Sequence, residues 1–188
     1  MDDLQPIRAA ARSFETERLL LRPYEPGDLD GMAEMFGDPE VTAHTLLGRR
    51  SRDETASVLE DYRAFLAERG YGMLAILDRA TGAYLGEVGL FVTPMGPLAL
   101  RYALARHAWG RGYATEASAA VIDDTFSDLG LHRLLAGVMA ENAGSIRVVD
   151  KLGFAFDSDV TAAGKTFRLY VLAREAWLAR QQGLSVSG

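Results

Sequence analysis

Hydrophobic positions along the chain change period several times, and each change marks an element. Residues 17–23 alternate weakly and end at Pro23, which predicts a short strand. Asp28 stands where it can cap a helix whose Leu29, Met32, Ala33 and Phe36 share one face, and the G-D-P-E at 37–40 stops it. Ser51 and Glu54 form the S-x-x-E of a capping box. Val58, Leu59, Tyr62, Phe65 and Leu66 then keep a helical period up to Gly70. Three strand-like runs follow at 71–77, 84–92 and 98–105. Turn-rich D-R-A-T-G and T-P-M-G-P join them, which predicts an antiparallel meander. After a glycine-rich turn at 110–112 comes a helix to about residue 129, stopped by Gly130. Residues 132–140 read as a strand and 143–152 as a helix closed by Gly153. Residues 154–157 and 166–173 read as two last strands, and 174–181 as a short amphipathic helix. The order is that of a mixed sheet with helices on both faces, an α/β or α+β class. Residues 1–14 and 183–188 read as tails, leaving one domain at 15–182.

Composition narrows the chemistry. The 188 residues contain no cysteine, which excludes a disulfide framework, a thiolate metal site and a cysteine nucleophile. The three histidines, His44, His107 and His132, lack metal-ligand spacing, so no metal is expected. No apolar run approaches about 18 residues, so no membrane span is expected. The first residues do not read as a secretory signal, and a cytoplasmic location is the expectation. The net charge of −6 argues against nucleic acid as a partner. Residues 1–94 carry 17 Asp/Glu against 10 Lys/Arg, and residues 95–188 carry 9 against 10. A cationic substrate meeting the first half and an anionic ligand held by the second would fit this asymmetry. Ordinary solubility charge is the plainer explanation.

The informative stretch is R-H-A-W-G-R-G-Y-A-T-E-A-S-A-A at 106–120. A predicted strand runs into a loop with Gly110 and Gly112, and small residues follow on a helix. Glycines let the backbone approach a ligand closely. The first helical turn leaves N–H groups unpaired at the positive end of the helix dipole. Together these make a pyrophosphate cradle. The loop lacks the lysine of G-x-x-x-x-G-K-[ST], and it does not open a chain-initial βαβ unit.

These residues resemble a known family. W-G-R-G-Y-A-T-E-A at 109–117 is similar to the acyl-CoA loop of the GNAT acetyltransferases, whose Q/R-x-x-G-x-G/A pattern falls on Trp109, Gly112 and Ala114. Trp109 departs from the usual Gln or Arg, as in the RimJ/RimL-like branch. Three further blocks resemble that branch in the same order: T-E-R-L-L-L-R-P at 16–23, N-A-G-S-I-R-V-V-D-K-L-G-F at 142–154, and L-Y-V-L-A-R-E-A-W at 169–177. The resemblance implies a single-domain GNAT fold. Its seven-stranded mixed sheet would splay between the fourth strand (98–105) and the fifth (132–140). It implies acetyl-CoA as co-substrate, held by Leu104, Arg106, Trp109, Gly110, Arg111, Gly112, Tyr113, Ala114 and Thr115. Asn142 and Ser145 would face the thioester end. Glu116, in the T-E-A, reads as structural.

Acetyl transfer needs a neutral amine, a donor for the oxyanion and a proton for the leaving thiolate. In much of the superfamily a tyrosine seven residues after the equivalent of Asn142 supplies that proton, but Val149 stands there. The branch's alternative is a serine, here Ser145. The glutamate that many relatives carry as base falls at Ala99. Glu87, on the preceding strand, is the nearest substitute, as base or amine anchor, and alternation puts Leu85, Gly89 and Phe91 on its face. His44, Tyr102 and Tyr170 are the candidate substrate-binding residues, and acceptor choice is expected around 38–51 and 92–97. Without a strong base, an α-amine is the easier acceptor. Deprotonating it at pH 7 costs about 1.1 kcal/mol, against about 4.6 for a lysine. The expected activity is therefore direct acetyl transfer to a primary amine, a protein or peptide N-terminus first. A small-molecule amine (polyamine, amino acid or antibiotic) and a non-catalytic acyl-CoA sensor stay open, as does a homodimer.

Overall fold

The structure is a computed structural model and describes residues 13–45, 48–93, 98–162 and 164–182. The tail residues 1–12 and 183–188, the turn at 94–97 and residues 46–47 of the expected acceptor loop lie outside these. The strands are β1 (Phe14–Glu15), β2 (Leu19–Pro23), β3 (Met73–Asp78), β4 (Tyr84–Val92), β5 (Leu98–Leu104), β6 (Arg133–Met139), β7 (Ala155–Ala162) and β8 (Lys165–Ala173). They form one sheet in the order β1-β2-β3-β4-β5-β6-β8-β7. The sheet has eight strands rather than seven. Phe14, expected in the tail, pairs with Leu21 and makes a two-residue edge strand. The meander is antiparallel through β5, and β5 and β6 are parallel. Their register holds only Ala99↔Leu135 and Leu100↔Ala136, whereas β4 and β5 pair from Gly86↔Leu104 to Val92↔Leu98. Arg101 and Tyr102 are therefore the first β5 residues beyond the last β5–β6 pair.

The helices are α1 (Leu29–Gly37), α2 (Pro39–Thr42), α3 (Arg52–Arg69), α4 (Tyr113–Ser127), α5 (Ala143–Leu152) and α6 (Arg174–Gln181). On the face carrying α4 and α5, Leu21, Ile76, Val88, Leu100 and Leu134 pack with Ala117, Ile122, Phe126 and Val149. On the other, Met73 and Ala75 pack with Tyr24 and with Met32, Phe36 and Leu59 of α1 and α3. Each such buried large side chain contributes about 1.5–3 kcal/mol relative to exposure. The α3 capping box forms as expected, with Glu54 N–H donating to Ser51 Oγ at 3.2 Å and Ser51 N–H to Glu54 Oε2 at 2.7 Å. Asp28 does not cap α1 with its side chain. It accepts from Arg22 at 2.7 and 2.8 Å and from Glu25 N–H at 2.8 Å, so a buried ion pair claims the carboxylate instead.

One bulge decides which side chains meet. Ile76 opposes Gly86 and Leu77 opposes Tyr84, which leaves Leu85 as the extra residue. Gly86 has φ 151°, and a Cβ there would overlap the Ala103 carbonyl, so only glycine suits it. Leu85 consequently packs in the α4-side core, not on the face of Glu87 that simple alternation assigned to it. Tyr84 and Glu87, three residues apart, both turn toward α1 and α3.

Candidate active site

The glycine loop is built as a donor array. Gly110 and Gly112 have φ 73° and 81°, and Gly112 is the N-cap of α4 with no side-chain cap. The first bond of the helix runs from Glu116 N–H to Gly112 O. Among the described residues, no backbone or side-chain acceptor takes the amide protons of Arg111, Gly112, Tyr113, Ala114 or Thr115. Five donors at the positive end of a helix suit a diphosphate. Arg18 of the segment before β2 braces the loop. Its Nη1 donates to the Arg111 carbonyl at 2.9 Å, and its guanidinium lies 4.6 Å from the Tyr113 ring centroid. Arg18 is itself held by Glu116 through Nε at 2.7 Å and Nη2 at 2.6 Å. The Trp109 indole N–H donates to the Leu104 carbonyl at 2.8 Å, which folds the loop back on the end of β5.

Asn142, Ser145 and Tyr102 come together on the α4–α5 side where β5 and β6 stop pairing. Asn142 Oδ1 accepts from Ser145 N–H at 3.0 Å and caps α5. The Tyr102 hydroxyl donates to the Ser145 carbonyl at 3.2 Å. Burial pushes that hydroxyl up to about 12, with Ser145 opposing the shift, so Tyr102 is a protonated donor at neutral pH. Val149 is fully buried in the core, and Ala99 is buried too.

On the opposite face Glu87 is 0% exposed, and both its oxygens are engaged. Arg101 Nη2 pairs with Oε1 at 2.7 Å, and the Tyr24 hydroxyl donates to Oε2 at 3.2 Å. Tyr24 and Tyr84 share a hydrogen bond of 2.9 Å. Burial raises both phenols well above the usual range, and the Glu87 charge adds to this. Tyr62 of α3 lies beside Arg101; burial, then Glu87, pushes its hydroxyl up to about 12. The Glu87 carboxylate holds Arg101 firmly protonated. The geometry of Glu87 is that of a buried counter-ion.

The remaining expected residues scatter. His44 is exposed in the turn after α2, next to Thr45, whose carbonyl accepts from Lys165 of β8 at 3.2 Å. Tyr170 is 4% exposed and packs edge-on with Phe156 in the core. Arg106, expected on phosphate, pairs instead with Glu40 at 2.8 Å and Asp38 at 3.4 Å of the α2 segment. Arg111 is exposed on the loop. Sequence reading missed Arg18, Arg101, Tyr24 and Tyr62. Arg101 and Glu87 had left a signal, as lone charges in apolar runs on neighbouring strands. Among the described residues no three His, Asp or Glu side chains group as a metal site, and no helix is long and apolar enough to cross a membrane.

Residues 18–155 match the family model described as "Acetyltransferase (GNAT) domain". The "Uncharacterized N-acetyltransferase p20" of Bacillus licheniformis is 30% identical over 142 residues, 74% of this chain and 80% of that protein. A GNAT-family acetyltransferase structure from Bacillus anthracis superposes with a TM-score of 0.77 at 20% identity, over 87% of this chain and 99% of that one. The ribosomal-protein-S5-alanine acetyltransferase of Vibrio fischeri superposes at 0.71 and 21%, over 88% and 98%, and this likeness is one of fold. Matched across most of its length by the family model, the chain belongs to the GNAT acetyltransferases and is an acyltransferase enzyme.

Proposed function

We propose that the enzyme transfers acetyl from acetyl-CoA directly to an α-amine, that of a protein or peptide N-terminus. The observation that carries this reading is the set of five unclaimed amides at 111–115, at the N-terminus of α4 in the loop that follows β5. Those amides and Arg18 would hold the diphosphate, and the parting of β5 and β6 fits the splay in which the family seats its thioester. The co-substrate supplies an acyl group already activated as a thioester. Ser145, beside Tyr102, would donate a hydrogen bond to the leaving thiolate as the C–S bond breaks and the C–N bond forms, and the thiolate would take its proton from water. The amine proton passes to water, because the family's base position is the buried Ala99 and both Glu87 oxygens are bonded. With no strong base the easier deprotonation wins, by about 3.5 kcal/mol for an α-amine over a lysine at pH 7. The Vibrio fischeri structure, by its name an enzyme acting on a ribosomal protein, agrees with a protein acceptor.

Steady-state rates with acetyl-CoA on a peptide with a free α-amine and a matched peptide with only a lysine amine test this. Faster α-amine turnover is expected. Faster lysine turnover refutes the acceptor class, and CoA binding without thiol release from any amine refutes acetyl transfer.

A further inference from the structure

Three arginines lie on the α1–α3 face of the sheet or in the loop that leads into α3, and they differ in how fully they are paired. Arg22 is matched by Asp28 through two bonds of 2.7 and 2.8 Å. Arg101 is matched by Glu87 through one bond of 2.7 Å, which uses one nitrogen of its guanidinium and leaves the side chain 32% exposed. Arg50 pairs with no carboxylate among the described residues. Its guanidinium lies 4.6 Å from the Phe36 ring centroid, and its Nη1 is buried without a hydrogen-bond partner. The Tyr62 hydroxyl is buried in the electrostatic reach of both Arg50 and Arg101, and its one polar neighbour of hydrogen-bonding kind there is Arg101, at less than ideal geometry. Buried polar atoms without partners are uncommon and ask for an occupant. Arg101 stands where β5 leaves its last pair with β6, across the strand from Tyr102 and Ser145.

Resting on the acetyl-transfer reading above, we infer that the acceptor carries a carboxylate close to the amine that is acetylated, and that the free edge of Arg101, with Arg50 and the Tyr62 hydroxyl, binds it. Arginine suits this task because its planar donors match a carboxylate's two oxygens. Glu87 then serves as the positioning residue. It orients Arg101 from below and, with Tyr24, keeps the guanidinium from collapsing into the core. The local charge also argues against a polyamine, whose second ammonium would face Arg50 and Arg101.

A carboxylate near a reactive α-amine has two sources: the α-carboxylate of a free amino acid, or the acidic side chain of a peptide's first residue. Steady-state kinetics with acetyl-CoA should therefore compare free amino acids with their carboxamides, and peptides beginning Glu or Asp with those beginning Gln or Asn. In one arm the acid should exceed its amide at least tenfold in kcat/KM, mainly through KM, and the arm names the source. Arg101→Gln should erase that preference while the affinity for CoA stays the same, and Arg101→Lys should restore part of it. Because Arg101→Gln strands Glu87 as a buried charge, the double variant Arg101→Gln/Glu87→Gln is the control for folding and should show the same loss. Amides equal to acids in both arms, or a preference that survives the double variant, overturns the inference. If nothing is turned over, calorimetry on CoA-saturated protein with N-acetyl amino acids and their amides separates the two readings. Binding of the acids alone sustains the carboxylate site and removes acetyl transfer, and binding of neither removes both.

Discussion

Glu116 and Arg18, 98 residues apart in sequence, clamp the start of the sheet to the glycine loop before α4. The Glu116 carboxylate accepts from Arg18 Nε and backbone N–H at 2.7 and 3.0 Å and from the Thr16 hydroxyl at 2.6 Å. Arg18 passes the constraint on to the Arg111 carbonyl. Two of the four sequence blocks, T-E-R and T-E-A, are therefore two halves of one contact.

Replacing Glu116 with Gln should cost about 1–2 kcal/mol, discounted for the exposure of Arg18. It should also change the acid limb of stability. Burial alone would raise the Glu116 carboxyl, but hydrogen bonds from Thr16 and Arg18 and the Arg18 charge outweigh it and hold it below the usual glutamate range. A depressed folded value means the stabilisation is fully present above about pH 4.3 and is lost as pH falls through the folded value. Urea unfolding from pH 7 to pH 3 should show a steeper decline in the wild type than in Glu116→Gln. Parallel curves would remove the clamp from the stability of the fold.

Gly112→Val should raise the Kd for CoA by more than tenfold. The φ of 81° is strained for a branched residue, and a Cβ would sit 3.5 Å from Arg18 Nη2 in the middle of the amide array. Calorimetry with CoA, beside circular dichroism to show a retained fold, checks it. An unchanged affinity would remove the diphosphate from this loop.

Ser145→Ala and Asn142→Ala separate catalysis from capping. The cap bond runs from the backbone N–H of Ser145, so Ser145→Ala keeps it and should leave unfolding free energy within about 0.5 kcal/mol while lowering kcat more than it raises the KM for acetyl-CoA. Asn142→Ala loses the cap and should cost about 1 kcal/mol. A Ser145 variant that is less stable but fully active would reverse the assignment.

Glu87→Ala should be among the most destabilising single changes, at about 3–5 kcal/mol. It leaves Arg101 without its counter-ion and Tyr24 without its acceptor on Glu87. Chemical denaturation measures this. A near-neutral change would mean that water reaches the cluster freely.

Much of the architecture was readable from the chain because it depends on local rules. The helical period at 52–69, the Ser51–Glu54 box and the Gly70 and Gly153 stops each act over one or two turns, and all appear in the structure. Period two and turn chemistry likewise set the meander. Facing was legible only where alternation is unbroken. The bulge at Leu85 inverts it, and its cause is the approach of Ala103 to Gly86, a contact between strands.

The site divides in the same way. The glycine loop could be read directly because its chemistry is its own backbone, held by a positive φ at Gly110 and Gly112. The roles of Arg18, Arg101, Arg106 and Glu87 could not, because a charged side chain takes the partner that folding brings within about 3 Å, whatever its distance along the chain. Sequence alone determined the family, the order of the elements and the glycine turn that leaves the first amides of α4 unclaimed. Tertiary structure alone decided which arginine braces the loop, which is consumed by Glu40 and Asp38, and which is held by the buried Glu87, because ion pairing in a sheet follows register and not sequence.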